Sequence, residues 1–159
     1  MMTQRYFKKR TLLFLIMAAL FTFPLAAQTA ADMDRLLESP AVSWGEAATF
    51  ILAAADKGQG LSEEAAFRLA GELAKLPRNA AAEKPVTLGG ASLIIMKAFN
   101  LQSGLYRLFP NGHYACRELV YLGVIQGKSD PDMRVSGERL LRILGRVLDY
   151  TGADGGDYE

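Results

Sequence analysis

Hydrophobic and polar positions follow a helical period most clearly in residues 113–150, near the C terminus. In the second half of this stretch the apolar side chains recur at i, i+1, i+4, i+7 and i+8, the spacing of one buried helical stripe: they are Leu140, Leu141, Leu144, Val147 and Leu148. Arg139, Arg142 and Arg146 fall on the opposite side. The pattern therefore predicts an amphipathic helix that begins near Ser136, whose hydroxyl can cap it, and ends near residue 150.

The first half of the same stretch predicts a second helix. It would bury Ala115, Leu119 and Leu122 and end at Gly123, where positive φ can close it. A short apolar step follows, and residues 127–132 are dense in turn formers. Residues 113–150 are therefore predicted to form a helix, a tight loop and a helix.

Four more helices are predicted upstream of this stretch, over residues 31–40, 43–56, 62–76 and 92–99. Ser43 and Glu46 have the spacing of a capping box, and Ser62 is a candidate cap. The helix at 92–99 is apolar nearly all round, which is typical of a helix buried among others. Residues 100–112 form a loop with large apolar side chains, which we expect to pack over the core.

Three of the helix starts share one local pattern, a valine followed by a hydroxyl residue and then an apolar run. They are Val42-Ser43, Val86-Thr87 and Val135-Ser136, separated by 44 and 49 residues. A repeat at this interval indicates a helical array, because one such unit cannot bury its own apolar face.

The stretch at 113–150 resembles an S-layer homology (SLH) motif. The residues that carry the resemblance are Ala115, Leu119, the step Leu122-Gly123-Val124-Ile125-Gln126-Gly127, Asp130-Pro131 and Val135-Ser136-Gly137-Glu138-Arg139. A weaker match runs from Ser43 to Leu52, and a faint one begins at Val86. The resemblance implies an all-α, SLH-like bundle of three helix-loop-helix motifs in a pseudo-threefold arrangement, over about residues 41–150.

SLH domains bind a negatively charged cell-wall glycopolymer in grooves between motifs, with an arginine at each helix start as a key contact. At the matching positions this chain has Trp44, Leu88 and Gly137. None of the three is an arginine. Lys128, Arg134 and Arg139 lie nearby and are candidates to take over the contact, because a guanidinium suits carboxylate or phosphate. Trp44 and Glu46 at the first helix start complete the set; Trp44 is either a core residue or a platform for a sugar or a partner.

The N-terminal residues predict a secretory signal peptide, residues 1–30. Four basic residues precede an apolar run of about 15 residues and then small residues, the order of such signals. The run is shorter than the roughly 20 residues that span a bilayer, so an uncleaved anchor is the alternative reading. Cleavage would fall after Ala27 or within 29–31. The mature domain would then be residues 31–150, followed by a disordered acidic tail at 151–159.

Removal of the signal would leave 14 basic against 17 acidic residues, a net charge of about −3. This mild charge argues against a nucleic-acid partner. Cys116 is the only cysteine, so no intrachain disulfide can form, and we expect it to be a buried, inert thiol rather than a reactive one.

The sequence contains no recognisable catalytic or metal-binding constellation. His113 is the only histidine, which leaves no partner for a triad or a histidine metal cluster. Asp130 and Asp132 lack the spacing of a calcium loop and are interpreted as a solvated turn. We therefore expect no catalytic activity, no metal and no cofactor.

The expected function is that of an exported module of the periplasm or cell surface. It would bind peptidoglycan or an attached glycopolymer. The alternative is a structural protein that binds another envelope protein through the same fold, for which the apolar loop at 101–110 and Trp44 would suit a partner. The sequence leaves the ligand and the oligomeric state open.

Overall fold

The described part of the chain is all-α. The computed structural model describes residues 23–154, with side-chain surroundings for residues 30–152. Within these residues there are six α-helices and one 3₁₀ turn: α1 Phe23–Glu38, α2 Trp44–Ala54, α3 Glu63–Leu73, α4 Leu88–Ala98, the 3₁₀ turn Gly104–Arg107, α5 Gly112–Tyr121 and α6 Gly137–Asp154. Residues from 36 onwards form one compact unit, a helical bundle that holds α2–α6.

Local sequence signals fix the starts of the helices. Ser43 and Glu46 form the predicted capping box of α2, in which each side chain bonds the backbone N–H of the other residue. Ser62 caps α3 as predicted. Thr87 caps α4 by accepting from the Gly90 amide at 3.1 Å, so this helix starts four residues earlier than the expected residue 92.

The three valine helix starts meet in a closed ring of backbone hydrogen bonds. The Val42 amide donates to the Val135 carbonyl at 2.8 Å, the Val135 amide to Val86 at 3.3 Å, and the Val86 amide to Val42 at 2.8 Å. All three side chains are buried. Since each start bonds both others, segments separated by more than 40 residues converge at one point of the core.

A second layer of hydrogen bonds also links the three starts cyclically, in the opposite direction, through the first residues of α2, α4 and α6. The amide of Trp44 donates to Lys84, that of Leu88 to Met133, and that of Gly137 to Ser39, at 2.8–2.9 Å. The amides left unpaired at a helix start are therefore satisfied by the segment that leads into another start.

The core is centred on α4, as its apolar sequence predicted. Every residue from 88 to 96 is buried, including Ser92, whose hydroxyl donates to the Leu88 carbonyl at 2.7 Å. The other two helices expected to bury a stripe do so, through Ala115 and Leu119 in α5 and through Leu140, Leu144 and Val147 in α6. Leu148 lies outside that core and is exposed.

The loop before α5 differs from the expectation that it packs over the core. Tyr106 is buried, but Leu105, Leu108 and Phe109 are exposed. The 3₁₀ turn explains the difference, because successive side chains on so tight a turn point in different directions and only one reaches the interior.

Both ends of the described chain are helical. Helix α1 starts at Phe23, within the predicted signal peptide, whose residues 1–22 lie outside the described part. Helix α6 continues to Asp154, past the expected end at residue 150; residues 155–159 of the predicted tail lie outside it too. None of the helices described between residues 23 and 154 combines the length and apolar character needed to cross a bilayer.

Candidate functional site

A basic concave surface runs along α6; this groove, here called the arginine groove, has a volume of about 430 Å³. Its lining residues are Gln126, Gly127, Ser136, Glu138, Arg139, Arg142, Ile143 and Arg146. The three arginines lie at i, i+3 and i+7, so α6 presents them on one face while its leucine stripe is buried. Three guanidinium groups against one carboxylate give the groove a positive charge.

Two of the three arginines are held in place by the segment that connects α5 to α6. Arg139 donates to the Lys128 carbonyl and to the Met133 sulfur, the latter at 3.1 Å. Arg146 donates to the Val124 carbonyl at 3.4 Å. Each guanidinium has five N–H donors, so these contacts orient the groups and leave donors for a ligand.

Arg142 differs from its two neighbours because its partner is a side chain. It forms an ion pair with Glu138 one turn earlier on α6, and both side chains are about 61% exposed. An exposed pair of this kind is weak and can open when a competing anion arrives. Arg142 is therefore the arginine of the groove that is most easily released to a ligand.

The predicted ligand residues are only partly brought together. Arg139 lines the groove, and Lys128 is exposed in the loop beside it. Arg134 is exposed but its backbone pairs with Thr87 and it does not line the groove. The sequence pattern places Arg142 and Arg146 only on the polar face of the helix. The signal that could have identified them as groove residues is their spacing from Arg139.

The two predicted residues of the first helix start have structural partners. Trp44 is 5% exposed and packs edge-on against Phe67, with ring centroids 6.5 Å apart. Glu46 is half-buried and accepts from the Ser43 amide at 3.0 Å. Through these contacts both residues stabilise the start of α2.

The three positions that match the arginine positions of the SLH pattern also face inward. Trp44, Leu88 and Gly137 are all buried, and their amides form the second hydrogen-bond layer. A charged side chain at these positions would be taken out of water, which is unfavourable without a partner. The arginines that line a groove lie elsewhere, along α6.

A second groove, here called the helix-start groove, has a volume of about 670 Å³. It is lined by Lys75, Pro77, Thr87, Gly89, Gly90, Leu93, Asn111, Gly112, His113, Asp130, Pro131 and Asp132. The first amides of α4 face other protein groups: Leu88 donates to Met133, Gly89 to Pro131 and Gly90 to Thr87. This helix end therefore has no free amides with which to hold an anion.

The acidic residues of the helix-start groove form a turn. Asp130 accepts from the Asp132 amide at 2.9 Å, which is the geometry of an Asx turn. Across residues 23–154, no group of three or more His, Cys, Asp or Glu side chains is arranged to hold a metal ion.

Two buried titratable residues, Cys116 and Tyr106, do not line the arginine groove. Burial raises the pKa of the Cys116 thiol, which is fully buried and donates to the Ser129 carbonyl at 3.5 Å. Burial also raises the pKa of Tyr106, whose hydroxyl has no hydrogen-bond partner. The predicted buried thiol is confirmed, and a thiol in this protonated state is a poor nucleophile.

Comparison with known proteins identifies no relative of this chain. No family model, no curated protein and no solved structure matches this chain.

Proposed function

We propose that this protein is an exported, non-catalytic module with an SLH-like fold that binds an anionic glycopolymer of the bacterial cell wall through the arginine groove. The observation that carries the proposal is the stripe formed by Arg139, Arg142 and Arg146 beside the ordered loop from 124 to 128. Wall polymers bear carboxylates or phosphates, and guanidinium groups bind both through paired N–H donors.

The hydrogen-bond ring supports the fold part of the proposal. A pseudo-threefold arrangement requires three equivalent helix starts around one axis, and the valine ring joins three such starts by cyclic bonds. Each start also has a hydroxyl cap, at Ser43, Thr87 and Ser136, that accepts from the amide three residues later. The similar surroundings of the three starts favour descent of the domain from a repeated motif.

The arginine groove explains how anion binding could continue without the usual arginines. Those positions are buried here, whereas the stripe on α6 is accessible and shaped by backbone carbonyls. Lys128 adds an exposed positive charge at the edge of the groove. In this proposal Arg142 exchanges its exposed partner Glu138 for the ligand, while Arg139 and Arg146 keep their orienting contacts.

The test is co-sedimentation of the protein with purified peptidoglycan sacculi, with and without the attached polymer. We expect retention that requires the polymer and falls at least tenfold in the variant R142Q/R146Q, since a charged hydrogen bond contributes about 1.5–3 kcal/mol. The matched control is R68Q/R78Q, which removes the same charge from exposed arginines that do not line the groove. Equal retention of both variants, or no retention of the native protein, would reject the proposal.

A second candidate is an interaction protein of the envelope, and the helix-start groove is the observation that favours it. This groove combines Lys75 and His113 with Asp130 and Asp132 over an apolar base that includes Leu93. Such mixed character suits a peptide segment better than a uniformly charged polymer. A photoreactive residue placed at Lys75 in cells should then crosslink to one discrete protein, and a variant labelled at Arg68 should not.

A further inference from the structure

The turn before α5 carries a cluster of exposed apolar side chains, here called the apolar tip: Leu105, Leu108 and Phe109. Their exposed fractions are 50%, 68% and 54%. Large apolar side chains exposed singly are common in proteins, but three within five residues are not isolated events. The apolar tip therefore indicates a binding surface.

The apolar tip continues into aromatic residues of α5. The ring of Phe109 lies 5.6 Å from that of Tyr114, centroid to centroid. Leu105, Tyr114 and Tyr121 line one shallow groove of about 470 Å³, and Tyr121 is 84% exposed. This groove therefore connects the 3₁₀ turn with Tyr121, the last residue of α5.

The apolar tip is fixed to the bundle from below. Tyr106 is 2% exposed, and the ammonium group of Lys97 lies 5.9 Å from the centroid of its ring. The amides of Leu108 and Phe109 both donate to the Leu105 carbonyl, at 3.1 and 2.9 Å. Because these N–H groups are already bonded, the turn can enter a medium of low polarity without exposing them.

Two exposed arginines lie at the apolar tip, and one buried carboxylate, that of Glu118, lines the same shallow groove. Arg107 lies within the 3₁₀ turn and Arg117 lines the shallow groove, and both are exposed. The sequence has no acidic residue between Glu83 and Glu118, and Glu118 itself is buried. The partner of this surface should therefore offer an apolar region to the leucine and phenylalanine side chains and negative charges to the two arginines.

We infer that the apolar tip and its two arginines form a docking site for an anionic lipid bilayer. Leu105, Leu108 and Phe109 would enter the boundary between headgroups and acyl chains, where Tyr121 also finds the mixed surroundings that tyrosine favours. Arg107 and Arg117 would bind lipid phosphates. A bilayer is favoured because the exposed apolar side chains stand beside two exposed arginines, and the amides of Leu108 and Phe109 are already bonded. This site shares no residue with the arginine groove, so it goes beyond the proposed glycopolymer binding.

The experiment places an environment-sensitive fluorophore at one position of the full chain, by labelling the variant L108C with NBD. Cys116 is fully buried, so labelling of the folded protein at neutral pH places one NBD group, which intact mass checks. The labelled protein is mixed with vesicles of phosphatidylglycerol and phosphatidylcholine in equal parts, or of phosphatidylcholine alone. The matched control carries the label at L148C, because Leu148 is an exposed leucine of α6.

We expect a blue shift of the probe at position 108 with the anionic vesicles, and none at position 148. The substitutions R107Q and R117Q together should weaken vesicle binding by roughly 25-fold, as each basic residue near an anionic surface contributes a factor of about five. No shift at 108, or equal shifts at both positions, would overturn the inference. A shift at 108 that depends on protein concentration without vesicles would also overturn it and assign the surface to a second copy of the chain.

Discussion

The indole ring of Trp44 lies directly over the α-carbon of Gly90. A Cβ atom built on Gly90 would come within 2.8 Å of Cζ2 of the ring and 3.1 Å of Cζ3. The large side chain of Trp44, the first residue of α2, therefore packs against the bare backbone of Gly90, the third residue of α4. This contact joins the first two valine helix starts, and it explains a glycine in a helix where glycine is otherwise unfavourable.

The substitution Gly90→Ala should destabilise the protein by about 1–3 kcal/mol, because a methyl group added to a well-packed core forces its neighbours to move. Urea unfolding followed by the fluorescence of Trp44, the only tryptophan, measures the change. Gly145→Ala is the control, since a Cβ there meets no atom within 4 Å and the site lies inside α6. The control should gain about 0.5–1 kcal/mol. A loss of similar size in both variants would show that the Trp44 contact is not the cause.

Two arginines of the groove should differ in their effect on stability. Arg139→Gln removes bonds to the Lys128 carbonyl and the Met133 sulfur, and we expect a loss of about 1 kcal/mol or more. Arg142→Gln removes only an exposed ion pair with Glu138, so its loss should stay below about 0.5 kcal/mol. Urea midpoints of the two variants decide the point, and equal midpoints would contradict the orienting role of Arg139.

The cap of α2 should be worth more than that of α3. Ser43→Ala removes one half of a reciprocal capping box at the valine ring, and we expect a loss of about 1 kcal/mol. Ser62→Ala removes a single exposed bond of 3.4 Å, so it should have the smaller effect. Thermal unfolding of both variants provides the comparison; a larger effect at Ser62 would contradict it.

The thiol of Cys116 should react with a disulfide reagent only when the protein unfolds. Burial raises its pKa, and no solvent reaches it. At pH 8 the rate for folded protein should be at least roughly a hundredfold below that in denaturant, as expected when reaction requires unfolding of a stable domain. Fast reaction of the folded protein would show that the segment over Cys116 opens locally.

The same thiol gives a pH dependence of stability. The folded pKa is raised above the unfolded value of about 8.5, so the unfolded state loses its proton first as pH rises. The stabilisation is therefore complete below about pH 8 and declines as pH rises through the unfolded pKa. Urea midpoints at pH 7.5 and 9.5 should fall more for the native protein than for Cys116→Ala. Equal declines would assign the pH dependence to other groups.

The helices were predictable because their signals are local. The serine cap of α2, the apolar run of α4 and the leucine stripe of α6 each depend on about ten neighbouring residues. Each appears in the structure, except that Leu148 of the stripe is exposed. The starts of α1 and α4 and the end of α6 were predicted less well. In α4 the reason is Thr87, which caps a first turn rich in glycine that helix propensity alone does not favour.

The arginine groove was only half predictable, for a related reason. Arg139 could be chosen from its place in a motif, but the groove it shares with Arg142 and Arg146 forms only because Gln126 and Gly127 come to lie beside α6. In the same way, Trp44 could be a core residue or an exposed platform until the packing against Gly90 and Phe67 was known.

The sequence by itself determined the helical class, the caps, the buried thiol and the repeated valine helix starts, since periodicity and capping act between residues that are close along the chain. The tertiary structure alone decided that these starts close into one hydrogen-bonded ring, that three arginines share a groove, and that Tyr106 is buried while Leu108 is exposed. Such relationships join segments tens of residues apart, and their free energy depends on packing that no local pattern specifies.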